Sequence, residues 1–162
     1  MHISRATVER EYEWVHDRAP VTVELINDVR ATIGPYFDTQ VDAVAEAEYH
    51  DEVDDVFADG DLAVNVAATI RLLRELDVDD DYPGFVIDEV LGRELAAMLA
   101  GTQPFRLLGE ATFHIADVMH HSPDGTAGAD DLDAALAAGF QTRLPGWEWT
   151  DTESPFRIDS EE

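Results

Sequence analysis

The stretch LAVNVAATIRLLRELDV, residues 62–78, decides how the chain folds. Its large apolar side chains recur every three or four residues. At 100° per residue this spacing places them on one side of an α-helix, and the polar residues fall on the other. Such a helix is stable only when its apolar side packs against other helices, so the stretch predicts a helical bundle. The side chains of that apolar side are Leu62, Val66, Ile70, Leu73 and Leu76.

The sequence before this stretch indicates three more helices. Ser4 can cap a first helix, which must end before Pro20. A second helix is predicted over about residues 22–33. Pro35 then occupies a position that proline favours, the first turn of a helix, and is predicted to open a third helix over residues 35–57.

The sequence after this stretch continues the helical pattern. Residues 84–100, GFVIDEVLGRELAAMLA, are apolar on nearly all sides, which predicts a helix in the centre of the bundle. Another helix begins after Pro104, and Gly139 is predicted to end a short helix over residues 131–138.

The C-terminal part has a different character. FQTRL and WEWT, residues 140–144 and 147–150, flank a Pro-Gly pair that suits the centre of a type II turn, which predicts a small β-hairpin. Residues 151–162 are predicted to form an extended or disordered tail. The fold we expect is mainly α: a single-domain bundle of about six or seven helices, with the hairpin, over residues 1–150, followed by the tail.

The charge of the chain indicates that the protein works in concentrated salt. Asp and Glu number 36 against 10 basic residues, all of them Arg, and the formal net charge is −26. This composition is typical of extreme halophiles, in which carboxylates hold water and cations at the surface while molar salt screens their mutual repulsion. We therefore expect salt cations at the surface and loss of structure on desalting.

Several functions are excluded or lose support because residue types and motifs are missing. The chain has no Cys, which excludes disulfides and thiolate chemistry, and no Lys, which excludes a P-loop and Schiff-base chemistry. It has no recognisable secretion signal and no run long enough to span a membrane, so we expect no membrane partner and a cytoplasmic or virion protein.

FHIADVMHHSPDG, residues 113–125, holds half of the six histidines and offers a candidate metal site. Glu110, His114, Asp117 and His121 follow at spacings of four, three and four, which brings them to one face of a helix. Imidazole and carboxylate groups are ligands for a divalent metal such as zinc or manganese. The alternative is that this face is only the solvent side of an amphipathic helix. The side predicted to face the core holds Leu107, Leu108, Ala111, Ile115, Val118 and Met119.

Two further groups of residues are candidates for binding. Trp and other apolar side chains near the C-terminus are predicted to anchor a protein interface, although they can equally close over the core. These residues are Trp147, Trp149, Phe156 and Ile158. Arg71 and Arg74 form the local basic pair of one helix and are the candidates for contacts with DNA.

The favoured function is therefore non-enzymatic. We expect an interaction or assembly protein of a halophile or its virus, without a cofactor, which self-associates or joins a larger assembly as an adaptor subunit. One alternative is a DNA-binding regulator of the winged-helix type, with the hairpin as its wing. The other is a His/carboxylate metal-binding protein or metalloenzyme.

Overall fold

The structure is a computed structural model that describes residues 2–75, 87–120 and 129–147. A mainly helical bundle is confirmed, since these ranges contain seven α-helices. None of the seven is long and apolar enough to cross a membrane. A 3-10 turn, Gly34–Phe37, follows the second helix, and a π-helical turn, Ile87–Gly92, leads into the fifth. The helices are α1 (Arg5–Asp17), α2 (Ala19–Ile33), α3 (Glu46–Ala58), α4 (Gly60–Glu75), α5 (Arg93–Ala100), α6 (Phe105–Met119) and α7 (Ala129–Gln141).

The first two helices begin at residues that favour a helix start. The Ser4 hydroxyl accepts a hydrogen bond from the backbone N–H of Thr7, which satisfies one donor of the first turn of α1. Pro20 lies in the first turn of α2, where its missing N–H costs nothing. α1 therefore ends before Pro20 as predicted, and only Arg18 separates it from α2.

The third helix begins at Glu46, and the prediction that it starts at Pro35 is wrong. The 3-10 turn ends at Asp38, whose φ of 51° is left-handed and directs the chain out of the helix. The segment between the 3-10 turn and α3 is held by hydrogen bonds to a side chain of α2. The amide of Asn27 accepts from the Val44 N–H at 2.9 Å and donates to the Val44 carbonyl at 3.2 Å.

The core centres on α5 and α7. The prediction that the helix within residues 84–100 is central is confirmed, because Leu95 and Leu99 of α5 are completely buried. α7 is buried on every side over its last three turns and packs against α2, α5 and α6. The fully buried apolar residues of α7 are Leu132, Ala134, Ala135, Leu136, Ala137, Ala138 and Phe140.

Gly139 does not end a helix as predicted but lies inside α7. A Cβ atom at this position would come within 2.5 Å of the Leu99 Cβ and 3.0 Å of the Ala96 carbonyl oxygen. The missing side chain therefore permits the close approach of α5 and α7.

The predicted β-hairpin is not supported, because the end of a helix and a turn replace its first strand. Phe140 and Gln141 belong to α7, and no strand occurs in the ranges that the structure describes. Burial of Phe140 in the bundle favours the helix, whereas a two-stranded hairpin alone is marginal in water. Gly146 does adopt a positive φ, 123°, but the turn directs Trp147 back onto the bundle. Most of the predicted second strand, and residues 151–162, lie outside the described residues.

Candidate interaction surface

α6 packs on the bundle through three small residues and one large one. Its buried residues are Gly109, Thr112, Ala116 and the large Phe113. A Cβ atom on Gly109 would lie 2.9 Å from the Ala100 Cβ, so the backbones of α5 and α6 approach closely at this point. The Thr112 hydroxyl donates to the Leu108 carbonyl at 2.7 Å, which satisfies this buried polar group within the helix.

This packing leaves several large apolar side chains of α6 facing solvent, so the predicted orientation of the helix is wrong for these residues. Leu107 and Val118 are each 63% exposed, Met119 is 41% exposed and Ala111 is also exposed. Only Leu108 and Ile115, of the side chains predicted to face the core, are half-buried. The reason is steric: large side chains between α6 and α5 would prevent the close backbone contact that Gly109 permits.

The exposed residues form one continuous line, which we call the α6 stripe. It consists of Leu107, Ala111, His114 and Val118, at successive spacings of four, three and four. The line runs for about 16 Å along the helix, at a rise of about 1.5 Å per residue. None of its members carries a formal charge with His neutral, in a chain whose net charge is −26.

The predicted metal ligands lie along one edge of the α6 stripe. His114 is exposed, and Glu110 and Asp117 are half-buried on the same flank. Within the described ranges, no group of three or more His, Asp and Glu side chains is close enough to hold a metal ion. His121 lies outside the described residues, so the four-residue site stays a prediction.

The arginines predicted for DNA contact are engaged within the chain, in a groove between α1 and α4. Arg74 donates to the completely buried carboxylate of Glu11 at 2.6 Å and lies 4.8 Å above the Trp14 ring. Arg71 lies 3.6 Å from the other oxygen of Glu11 and donates to Glu75 at 2.5 Å. The hydrogen bond to Glu75 raises the pKa of Arg71. The groove, of about 490 Å³, is lined by four carboxylates and three arginines, so it is not a basic surface.

Trp147, predicted as an interface anchor, lies in the core of its own chain. Its indole N–H donates to the Gln141 carbonyl at 2.8 Å, and only 6% of the residue is exposed. The buried Arg30 guanidinium lies 5.6 Å from the same ring and donates to the carbonyl groups of Gln141 and Pro145 at 2.6 Å. Trp147 thus follows the alternative in which the aromatic residues close over the core. Trp149, Phe156 and Ile158 lie outside the described residues.

Two polar clusters were not predicted from the sequence. The buried Asp133 of α7 accepts hydrogen bonds from Arg18 at 2.5 Å and lies 3.0 Å from the Nε2 atom of His120. The rings of His16 and His50 stack in parallel with centroids 3.8 Å apart, which ties α1 to α3. Neither cluster follows from spacing, because each joins residues of distant helices. The sequence does contain a pattern that predicts which face of α6 is buried. Gly109, Thr112 and Ala116 repeat small residues on one face, which is typical of close helix packing.

The comparisons with known proteins give a family but no activity. The family model described as "Domain of unknown function (DUF7984)" matches residues 1–160. No curated protein and no solved structure matches the chain.

Proposed function

We propose that this chain, a member of the family matched above, is an interaction protein that associates through the α6 stripe. The family description names no activity, so the proposal is argued from the surface of the protein. The occupant we propose is a second copy of the chain. The protein would act as a self-associating subunit at molar salt, in a halophilic cell or a virus particle.

The outward orientation of Leu107 and Val118 carries this proposal. Both are 63% exposed, which is more than the 48% of Val90, the next most exposed large aliphatic residue in the part of the chain that the structure describes. Complete burial of such a side chain is worth roughly 1.5–3 kcal/mol, so covering four of them, two from each copy, supplies a substantial driving force. Molar salt screens the repulsion between two acidic chains, which would otherwise oppose this force.

The absence of charge on the α6 stripe favours a second copy over a basic partner. A basic partner gains most on the carboxylate-rich faces, such as α3, whose residues 46–58 contain six Asp and Glu. An uncharged apolar line fits another uncharged apolar line, and each copy of the chain carries one. The stripe is also self-complementary, because Leu107 at one end and Val118 at the other are of similar size and equally exposed.

A pair of single helices buries less than the roughly 800 Å² per partner of a standard interface. We therefore expect a weak dimer, with a dissociation constant on the order of micromolar. Sedimentation velocity in molar KCl over a range of protein concentrations measures this equilibrium directly.

The decisive variant is Leu107→Asp, which places a charge in the stripe without touching the core. It should abolish the dimer and leave the circular dichroism spectrum unchanged. Tyr36→Asp is the matched control, since Tyr36 is 78% exposed outside α6. A protein that is monomeric at all concentrations contradicts the proposal, and so does a Leu107→Asp variant that dimerises like the parent.

The other predicted functions draw less support. DNA would have to compete with Glu11 and Glu75 for Arg71 and Arg74, so we do not propose a DNA-binding regulator. The predicted contribution of Trp149, Phe156 and Ile158 is a separate hypothesis. Removal of residues 151–162, measured by the same sedimentation experiment, separates the tail from the stripe.

A further inference from the structure

We propose that the stacked rings of His16 and His50 form an acid-sensitive contact. The contact holds α1 on α3 at neutral pH and loosens when both rings carry a proton. Both histidines belong to one chain, so the contact exists with or without the proposed dimer.

The two helices hold the imidazole rings face to face. His16 lies in the last turn of α1, and the half-buried His50 lies near the start of α3. The ring planes differ by only 3°, and the centroids are 3.8 Å apart. The Nε2 atom of His50 also donates to the His16 carbonyl oxygen at 3.3 Å, since a carbonyl can only accept. Neither water nor a salt ion fits between rings at this separation, so molar salt would screen two charges placed on them only weakly.

The surroundings of the pair accommodate one proton. Imidazole changes its charge between about pH 5 and pH 8. His16 lies at the C-terminal end of α1, where the helix dipole favours a positive charge. Carboxylates flank the pair on both helices and favour the same charge. They are Glu13 and Asp17 on α1, and Glu46 and Asp54 on α3.

A second proton would place two positive charges 3.8 Å apart. Two unit charges at about 4 Å repel strongly wherever water is excluded between them. Tyr49, whose ring centroid lies 6.1 Å from that of His50, stays neutral in this range because burial raises the pKa of Tyr49. The flanking carboxylates lie around the stack and not between the rings, so the repulsion between the rings remains.

The arginines of the neighbouring helices are engaged elsewhere. Arg71 and Arg74 of α4 pair with Glu11, which points about 140° around α1 from His16 at 100° per residue. Arg18, between α1 and α2, pairs with Asp133 of α7. The charge state of the contact is therefore decided by the two histidines and the carboxylates beside them.

Acid should weaken the contact, because the folded chain resists the second proton and the unfolded chain does not. The unfolded state then binds more protons than the folded state as the pH falls. The stability due to the stack is complete above about pH 6.5, where free imidazole is mostly neutral, and is lost below it.

The first test is a proton NMR titration of the histidine rings of the full chain in molar KCl, and it needs no variant. We expect His16 and His50 to take up their two protons in separate steps, more than about one pH unit apart. The exposed His2 should titrate in one step. A single shared step for His16 and His50, like that of His2, overturns the proposal.

The second test is amide hydrogen exchange in α1, corrected for the intrinsic pH dependence of exchange. We expect protection in the parent to fall about tenfold between about pH 7.5 and about pH 5, as for two unit charges brought close together. His50→Gln keeps a hydrogen-bond donor without the titrating ring, so it should lose this response.

His2→Asn is the matched control, since it removes an exposed histidine and should respond to acid like the parent. All three proteins keep the other titrating groups, so their comparison isolates the stacked pair. Equal acid responses of His50→Gln and the parent overturn the proposal, and so does a parent whose α1 protection is the same at both pH values.

Discussion

Arg74 illustrates how a buried carboxylate depends on its partner. Glu11 is completely buried, and its Oε2 atom accepts from Arg74 at 2.6 Å. Arg74→Met removes that donor and leaves Arg71 3.6 Å away as the nearest cation. We expect the free energy of unfolding to fall by about 2 kcal/mol, the range of a hydrogen bond to a charged group, because Arg74 is partly exposed and water replaces part of the interaction.

Chemical denaturation in molar salt measures this loss. Combining Arg74→Met with Glu11→Gln should restore part of it, since the second change removes the charge that the first leaves buried. Arg106→Met is the control on an exposed arginine whose nearest carboxylate oxygen is 4.0 Å away. Additive effects of Arg74→Met and Glu11→Gln would show that the two side chains do not stabilise one another.

The burial of Tyr49 predicts how the stability of the fold changes at alkaline pH. Its hydroxyl donates to the Val15 carbonyl at 2.8 Å, and burial raises the pKa of Tyr49. A pKa raised in the folded state means that this contribution to stability is complete below the unfolded pKa of about 10 and is lost as the pH rises above it. Stability should therefore fall steeply above about pH 10.

The variant Tyr49→Phe removes the ionising group. It should be less stable than the parent at neutral pH by about 1 kcal/mol, the worth of one hydrogen bond, and should lose less stability between neutral pH and about pH 11. Denaturation at both pH values measures the difference. Tyr36→Phe, at an exposed tyrosine, is the control, and identical pH slopes for Tyr49→Phe and the parent would contradict the assignment.

The contacts of individual side chains were the part of the candidate site that the sequence predicted least well. The spacing correctly brought Glu110, His114 and Asp117 to one side of α6, because a helix fixes its own angular pattern. It did not reveal that Trp147 lies against Arg30, since that contact joins positions 117 residues apart in the chain. Contacts of this kind depend on how the helices pack, which periodicity alone does not determine.

At the scale of the helices, their existence was predicted well and their ends and orientations less well. α1, α2 and α4 follow from caps and apolar spacing, which act within one turn. The start of α3 was missed because Asn27, on another helix, supplies hydrogen bonds to the segment before it. The orientation of α6 was missed because the sizes of Gly109 and Ala116, and not the hydrophobicity of Leu107 and Val118, decide which side meets the core.

Gly139 gives a direct test of the contact between α5 and α7. In Gly139→Ala the new methyl group would lie 2.5 Å from the Leu99 Cβ, so the two helices must move apart. We expect a loss of about 1–3 kcal/mol, as for other overpacked cores, measured by thermal or chemical denaturation. Gly60→Ala, where an added Cβ meets no atom within 4 Å, is the matched control and should be neutral or stabilising. Equal stability of the two variants would contradict the close approach.

At the scale of the whole molecule, the net charge of −26 opposes the compact fold. Ten arginines are too few to pair with 36 acidic side chains, so most carboxylates are left to water and salt cations. The Debye length shortens from about 10 Å at 0.1 M salt to about 3 Å at 1 M, and long-range repulsion across the surface is then suppressed. The stability of the fold should therefore depend strongly on salt.

We expect the helical circular dichroism signal to be complete in molar KCl and to fall as the protein is dialysed into dilute buffer. The effect should be reversible and should depend on ionic strength more than on the identity of a monovalent cation, because screening acts through charge alone. A sucrose solution without salt is the control, since sucrose strengthens apolar burial but screens no charge. A native spectrum in dilute buffer, or full rescue by sucrose, would show that repulsion among the carboxylates does not limit the stability of this fold.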